Sequence, residues 1–165
     1  MSVLVSDTSI IIDLDRGDML EQMFQLPYEF CVPDLLFEQE LKGELGDRLI
    51  ACGLDVVELS PEELTEAMSV HQTSGKLSYP DAFALILAKE RKWTLLTGDG
   101  AMRRLAHEQE LVMHGVLWVV EEYHRLEVMA PADLHRCLTA ISVHERCRLP
   151  MVEIRRLLTQ FSADE

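Results

Sequence analysis

Short apolar runs alternate with helical patterns along the whole chain. Five runs rich in Val, Leu or Ile predict strands, at residues 3–6, 29–32, 55–59, 93–97 and 111–115. In the intervals between them, apolar residues recur at helical spacing, which predicts helices on both sides of a sheet. The predicted strands are apolar without regular alternation, as is typical of a sheet that is covered on both faces.

This order of elements predicts the fold class. Strands that alternate with helices form βαβ units, so we expect a three-layer α/β domain with a mainly parallel sheet. Two more helical stretches follow Pro131 and Pro150 and are expected to pack on one side of the sheet. No repeat or Gly/Ser linker interrupts the chain. We therefore predict one domain over residues 1–165, with a core at about 1–127 and a helical extension at about 128–165.

Length and composition agree with a globular domain in the cytoplasm. The chain has 165 residues, of which 48% are hydrophobic, and this is enough for a sizeable core. No apolar run reaches 18 residues, so no membrane span is expected. The first charged side chain is Asp7, where a signal peptide would carry basic residues, and a cytoplasmic location is therefore predicted.

The charge balance narrows the function classes. A net charge of −14 argues against a protein that holds nucleic acid on a broad basic face. It does not exclude a nuclease, because a pocket of carboxylates binds divalent cations and these offset the local negative field.

The cysteines predict neither a disulfide framework nor a zinc site. Cys31, Cys52, Cys137 and Cys147 form no CxxC pair, and we expect reduced thiols. His135 and His144 lie near the last two cysteines, but the spacing matches no common zinc module and the stretch has the pattern of an amphipathic helix.

Three aspartates stand where apolar segments begin or end. Asp7 follows the first predicted strand in "VLVSDTSIII", and Asp99 follows another in "WTLLTGDG". Ligands bind at the carboxyl ends of parallel strands, although Asp is also a favoured helix N-cap. Asp81 begins the apolar helix "PDAFALILA", either as a partner of the helix dipole or as an inward-facing acid.

A glutamate in "PDLLFEQELKGEL" is the fourth candidate. At about 100° per residue, Glu38 lies roughly 50° from the centre of the apolar arc, Glu44 roughly 70° and Glu40 roughly 110°. We therefore predict that Glu38 points inward; the alternative is that all three glutamates are solvated.

Together, these acids predict a metal centre. Carboxylates that face one crevice repel one another unless a cation neutralises them. Ligation by oxygen alone selects Mg²⁺ or Mn²⁺ over zinc, and such ions support phosphodiester hydrolysis.

Three segments in sequence order resemble the motifs of the PIN-domain family of metal-dependent ribonucleases. They are "VLVSDTSIIIDL", "VPDLLFEQEL" and "LSYPDAFALILAKERKWTLLTGDGAMR", and the resemblance covers about residues 3–115. It implies a five-stranded sheet of order 3-2-1-4-5. It also implies that metal binding and catalysis rest on Asp7, Glu38, Asp81 and Asp99, with Thr8, Ser9 and Thr97 as hydroxyls that orient the carboxylates. Arg103 and Arg104 either contact substrate phosphate or are solvated helix charges.

The resemblance implies a Mg²⁺- or Mn²⁺-dependent endoribonuclease that cleaves RNA with an activated water. VapC-type relatives are homodimeric toxins inhibited by an antitoxin, so a toxin role, an antitoxin partner and a homodimer are predicted. Two departures weaken the toxin assignment. Met102 and Arg103 occupy positions where many relatives have a further acid, and the chain extends beyond the minimal toxin domain with added helices.

Two other functions compete with the nuclease. One is a PIN-fold module with little or no activity that acts through protein partners. The other is a receiver-like signalling domain, which is disfavoured because the third predicted strand ends in "VVELSPEE" without a phosphoacceptor Asp.

Overall fold

A computed structural model of the chain describes residues 1–164, which form a five-stranded parallel sheet surrounded by helices. The strands are β1 (Ser2–Ser6), β2 (Tyr28–Pro33), β3 (Asp55–Val57), β4 (Thr94–Leu96) and β5 (Met113–His114). They are ordered β3-β2-β1-β4-β5, and every pair is parallel. This confirms both the predicted α/β class and the order 3-2-1-4-5.

The helices cover the two faces and the C-terminal side of the sheet. They are α1 (Thr8–Arg16), α2 (Asp34–Leu36), α3 (Glu44–Cys52), α4 (Pro61–Thr73), α5 (Tyr79–Arg91), α6 (Gly100–Glu108), α7 (Val116–Arg125), α8 (Pro131–Ser142) and α9 (Met151–Ala163). A 3-10 helix (Glu21–Gln25) follows α1. Within the described part of the chain, none of the helices combines the length and the apolarity that crossing a membrane requires.

The helix predicted over "DLLFEQELKGELGDRLIACG" is interrupted in the structure. A π-helical turn (Phe37–Leu41) continues α2, and α3 begins only after Gly43. Gly43 has a φ of +124°, which glycine adopts without the steric penalty of a Cβ. Angular positions calculated for one regular α-helix therefore do not apply to the glutamates of this segment.

Strand β1 occupies the centre of the sheet, and the pairing of β1 with β4 brings the ends of these two strands together. It pairs with β2 on one side and with β4 on the other, with Val5 opposite Leu95. The Asp7 amide donates to the Leu96 carbonyl at 3.0 Å, so the pairing continues to the end of both strands. Chain connections diverge to the two sides at this point, which is where open parallel sheets bind ligands.

Helix α5 lies in the middle of the core. Every residue from 82 to 88 is buried, which confirms the prediction that this helix is buried nearly all round. Ser78 is the N-cap of this helix, and its hydroxyl accepts from the Asp81 amide at 3.2 Å. Asp81 therefore sits in the first turn, at the end of α5 that meets the carboxyl ends of the strands.

Helices α8 and α9 share this hydrophobic core. Their fully buried residues belong to the same cluster as those of the sheet: Leu134, Leu138, Ile141, Ile154, Leu157 and Phe161. Helix α8 packs against α1 and α7, and α9 packs against α7 and α8. The segment between them is thereby held against the rest of the domain.

The contact between α1 and α8 depends on Gly17. A Cβ added there would lie 2.7 Å from Ile141 Cδ1 and 3.1 Å from the Cys137 carbonyl oxygen. We expect Gly17→Ala to lower the free energy of unfolding by about 1–3 kcal/mol, because the helices must move apart. Urea denaturation measures the change.

Gly75→Ala is the matched control for that variant. A Cβ at Gly75 has no heavy atom within 4 Å, so its effect should stay within about 0.5 kcal/mol. Equal losses for the two alanine variants would contradict the tight α1–α8 contact.

Candidate active site

Asp7 lies at the end of β1 and is 1% exposed. It caps α1, with Oδ1 accepting from the Ile10 amide at 3.2 Å and from the Ser9 hydroxyl at 2.7 Å. Its other oxygen, Oδ2, accepts from the buried hydroxyl of Thr97. Both carboxylate oxygens are therefore held in one orientation by neighbouring hydroxyls.

Burial raises the pKa of Asp7 from its ordinary 3.8 to about 6. The hydrogen bonds from Thr97, Ser9 and Ile10 oppose this shift, and the negative charge of Asp81 adds to it. The charged form is thus costly at this position, and a nearby cation would stabilise it.

Hydrogen bonds link the turn after β4 to the residues that follow β1. The Thr97 hydroxyl accepts from the Asp99 amide at 3.1 Å, and the Gly98 amide donates to the Ser9 hydroxyl at 3.1 Å. Asp99 caps α6, its Oδ1 accepting from the Met102 amide at 2.9 Å. The predicted neighbours Asp7 and Asp99 are thereby joined through the single hydroxyl of Thr97.

Asp81 faces the same crevice from the first turn of α5 and is half-buried. Burial raises its pKa, a hydrogen bond involving Ser78 opposes this, and the charges of Asp99 and Glu40 raise it further. Since Asp81 also raises the pKa of Asp7, the four carboxylates interact as one negatively charged group.

The prediction that Glu38 points inward is wrong: Glu38, Glu40 and Glu44 are all exposed, as the alternative predicted. The glutamate that contacts the acidic group's surroundings is Glu40, in the π-helical turn that continues α2. Glu40 Oε1 accepts from the Thr8 hydroxyl at 2.8 Å, beside Asp7. Glu38 Oε2 instead lies 3.1 Å from Lys42 Nζ, and the Glu38 side chain is 56% exposed. The physical reason is the π-helical turn Phe37–Leu41, whose i→i+5 bonds change the rotation per residue from that of an α-helix.

One acid near the crevice had no sequence signal. Asp13 is half-buried on α1, and its Oδ2 would lie 4.0 Å from a Cβ at Gly98. Burial raises its pKa, while the charge of Arg16, 3.6 Å away, lowers it. Its position resembles that of any polar residue on the outer side of an amphipathic helix.

The two predicted phosphate-contacting arginines differ in their surroundings. Arg103 Nη1 lies 3.5 Å from the Thr97 carbonyl oxygen, directly behind the turn that carries Asp99. Arg104 is exposed on the following position of α6. Of the two, only Arg103 is placed beside the acidic group by a contact in the structure's described residues.

The donor set fits a hard divalent cation. Within residues 1–164, no three His, Cys, Asp or Glu side chains converge at metal-binding distance on one point. The fit rests on chemistry: Asp7, Glu40, Asp81 and Asp99 offer only carboxylate oxygens, the ligands that Mg²⁺ and Mn²⁺ prefer. Burial raises the pKa values of Asp7 and Asp81, and neighbouring carboxylates raise them further, so a bound cation would favour the charged form of both side chains.

Comparison with models of known protein families assigns the chain to a family. A family model described as "DUF3368: PIN domain" matches residues 3–163, a range that includes α8 and α9. No curated protein matches the sequence.

Proposed function

Because this chain belongs to the PIN-domain family, we propose that it is a Mg²⁺- or Mn²⁺-dependent endoribonuclease. The fold is of a nuclease type, and PIN domains generally use divalent metal ions. The choice of metal, the RNA substrate and the cleavage reaction are the parts that the proposal adds.

One observation carries the proposal. Asp7, Glu40, Asp81 and Asp99 come from four separate segments near the point where the sheet's connections diverge. Burial raises the pKa of Asp7 and of Asp81, the charge of Asp81 adds to the shift at Asp7, and the charges of Asp99 and Glu40 add to the shift at Asp81. A purely structural role would not require acids from the end of β1, the π-helical turn, α5 and the β4–α6 turn to lie near one another. Such an arrangement is costly for folding and is typical of a functional site.

Asp7, Glu40, Asp81 and Asp99 would hold the metal. When bound, a divalent ion lowers the pKa of a water molecule and offsets the charge that develops on the phosphodiester. The chain's own hydroxyls keep the carboxylates oriented: Ser9 and Thr97 donate to the two oxygens of Asp7, and Thr8 donates to Glu40. This fixed geometry limits the reorganisation that would otherwise accompany reaction.

Four further properties stay predictions from the family resemblance and the sequence. These are a toxin role in a toxin–antitoxin pair, inhibition by an antitoxin, a homodimeric state and a cytoplasmic location. Co-purification from the natural host, followed by sizing of the complex, measures the first three together.

The test of the nuclease is cleavage of a mixed RNA pool by purified protein with Mg²⁺, with Mn²⁺ or with EDTA. We expect cutting with at least one metal, a rate at least about 100-fold lower in EDTA, and recovery when metal is added in excess. A folded, metal-supplemented protein that leaves all RNA intact would contradict the proposal and favour the inactive binding module.

A further inference from the structure

Two grooves meet at Gly98, beside Asp99. The first groove, of about 250 Å³, lies between α1 and the loop that joins α8 to α9, and its lining includes Asp99, Arg146 and Arg148. The second groove, of about 500 Å³, lies between the β5–α7 region and the same loop, and its lining includes Arg103, Arg148 and Trp118. Together they extend from the acidic group along the C-terminal helices.

Positive charge is concentrated in these grooves. Eight of the 15 Lys and Arg side chains form ion pairs within residues 1–164. The seven without a carboxylate partner in that part of the chain are Lys76, Lys92, Arg103, Arg104, Arg146, Arg148 and Arg155. Three of these seven line the two grooves, although the whole chain carries a net charge of −14.

The acids that line the grooves do not cancel this charge. Asp13 lies 3.6 Å from Arg16, and Glu153 lies 2.9 Å from Arg156. Apart from Asp99, which belongs to the acidic group itself, each lining carboxylate thus contacts a cation other than Arg103, Arg146 and Arg148, although Glu153 shares Arg156 with Glu121, which lies 3.0 Å from that arginine. Arg103, Arg146 and Arg148 are left to interact with an anion from outside the chain.

The loop that carries Arg146 and Arg148 is held in place. Its Cys147 and Leu149 side chains pack against the core. The Cys147 amide donates to the His144 carbonyl at 3.0 Å, and the Arg146 amide donates to His144 Nδ1 at 3.1 Å. The two exposed guanidinium groups therefore start from a fixed backbone, which reduces the entropy lost on binding.

We propose that these grooves bind the RNA strand on one side of the cleavage point, with Arg103, Arg146 and Arg148 contacting its phosphates. The proposal rests on the nuclease function proposed above. The planar guanidinium matches phosphate oxygens better than an ammonium group does. Grooves of this volume accept nucleotides of a single strand rather than a double helix. The C-terminal extension then supplies substrate binding that the acidic group, which repels phosphate, lacks.

The test measures RNA affinity in a pair of charge-matched variants. Arg146→Ala/Arg148→Ala removes two groove arginines, and Arg136→Ala/Arg155→Ala removes two exposed arginines from α8 and α9 that line neither groove. Binding of a fluorescent ten-nucleotide single-stranded RNA is followed by anisotropy over a range of KCl concentrations. Ca²⁺ replaces Mg²⁺, and gels verify that the RNA stays intact.

We expect the groove variant to bind at least about tenfold more weakly, and its slope of log Kd against log salt to fall by about 1.4, or about 0.7 per lost phosphate contact. The control variant should stay within about twofold of the wild type. Equal weakening of both variants, or no RNA binding by the wild type, would overturn the proposal.

Trp118 gives a second, independent measurement. The chain has two tryptophans, so Trp93→Phe leaves Trp118, which lines the second groove, as the sole tryptophan emitter. Saturating RNA should change the Trp118 emission; emission that does not change would overturn the placement of the strand in this groove.

Failure of this proposal is distinguishable from failure of the nuclease. Metal-dependent cutting with normal affinity in the groove variant would overturn the groove alone. Arginine-dependent binding without cutting under any metal would support the groove and overturn the nuclease.

Discussion

Asp7→Asn is expected to lower RNA cleavage by about 10³-fold or more while leaving the fold intact. Asn keeps the shape of the side chain and remains a good N-cap for α1, but it loses the charge that a metal ion requires. Cleavage assays with Mg²⁺ and with Mn²⁺ measure the loss. Cutting that persists in the variant would show that the activity belongs to a contaminant or to another site.

The same variant has an expected effect on stability without metal. The pKa of Asp7 is about 6 in the folded protein and 3.8 in its ordinary state, so only the folded protein keeps the proton between these values. The wild type therefore loses stability as the pH rises from about 4 to 6, by about 3 kcal/mol at most. Asn carries no charge and does not suffer this loss.

Urea denaturation in EDTA from pH 4 to pH 7.5 measures this difference. Asp7→Asn should be nearly as stable as the wild type at pH 4 and more stable above pH 6. Added Mg²⁺ should then stabilise the wild type more than the variant, because binding to the folded state raises its stability. A difference between the two proteins that is independent of pH would contradict the raised pKa.

Glu40→Gln is expected to lower cleavage by about 100-fold, whereas Glu38→Gln should stay within about twofold of the wild type. The two changes are chemically identical and lie two residues apart. Glu40 accepts from Thr8 beside Asp7, while Glu38 loses only an exposed ion pair with Lys42, which contributes about 0–1 kcal/mol. Initial cleavage rates under saturating metal measure both effects.

Two other outcomes would contradict the assignment of Glu40. Loss of activity in Glu38→Gln alone would show that Glu38 faces the metal in the working enzyme, as the regular helical phase predicts. Two fully active variants would contradict any role of this segment in metal binding.

Short-range features of the sequence determined where the strands lie and that two of the acids, Asp7 and Asp99, stand at strand ends. An apolar run followed by Asp places that carboxylate at the end of a buried strand, and the same residue caps the next helix. The seven apolar residues after Asp81 likewise determined that α5 is buried. These features depend on neighbours within a few positions, so they can be recognised without knowing the tertiary structure.

The choice between Glu38 and Glu40 required the tertiary structure. The π-helical turn Phe37–Leu41 and the break at Gly43 interrupt the helix that the sequence predicts, in a segment that packs against α5 through α2. Glu38 and Glu40 are only two residues apart, so a small change in the rotation per residue decides which of them lies on the side of Asp7. The angular positions calculated from the sequence assume a regular α-helix and therefore miss this change.

The grooves beside Asp99 also exist only in the folded chain. Arg148 and Asp99 are distant in sequence and become neighbours because α8 and α9 pack against α1 and α7. The sequence determined that α8 and α9 form helices and that the acids follow strands. Long-range packing decided which cations lie near those acids. The sequence alone does not show in which direction a charged side chain points or which distant residues it meets.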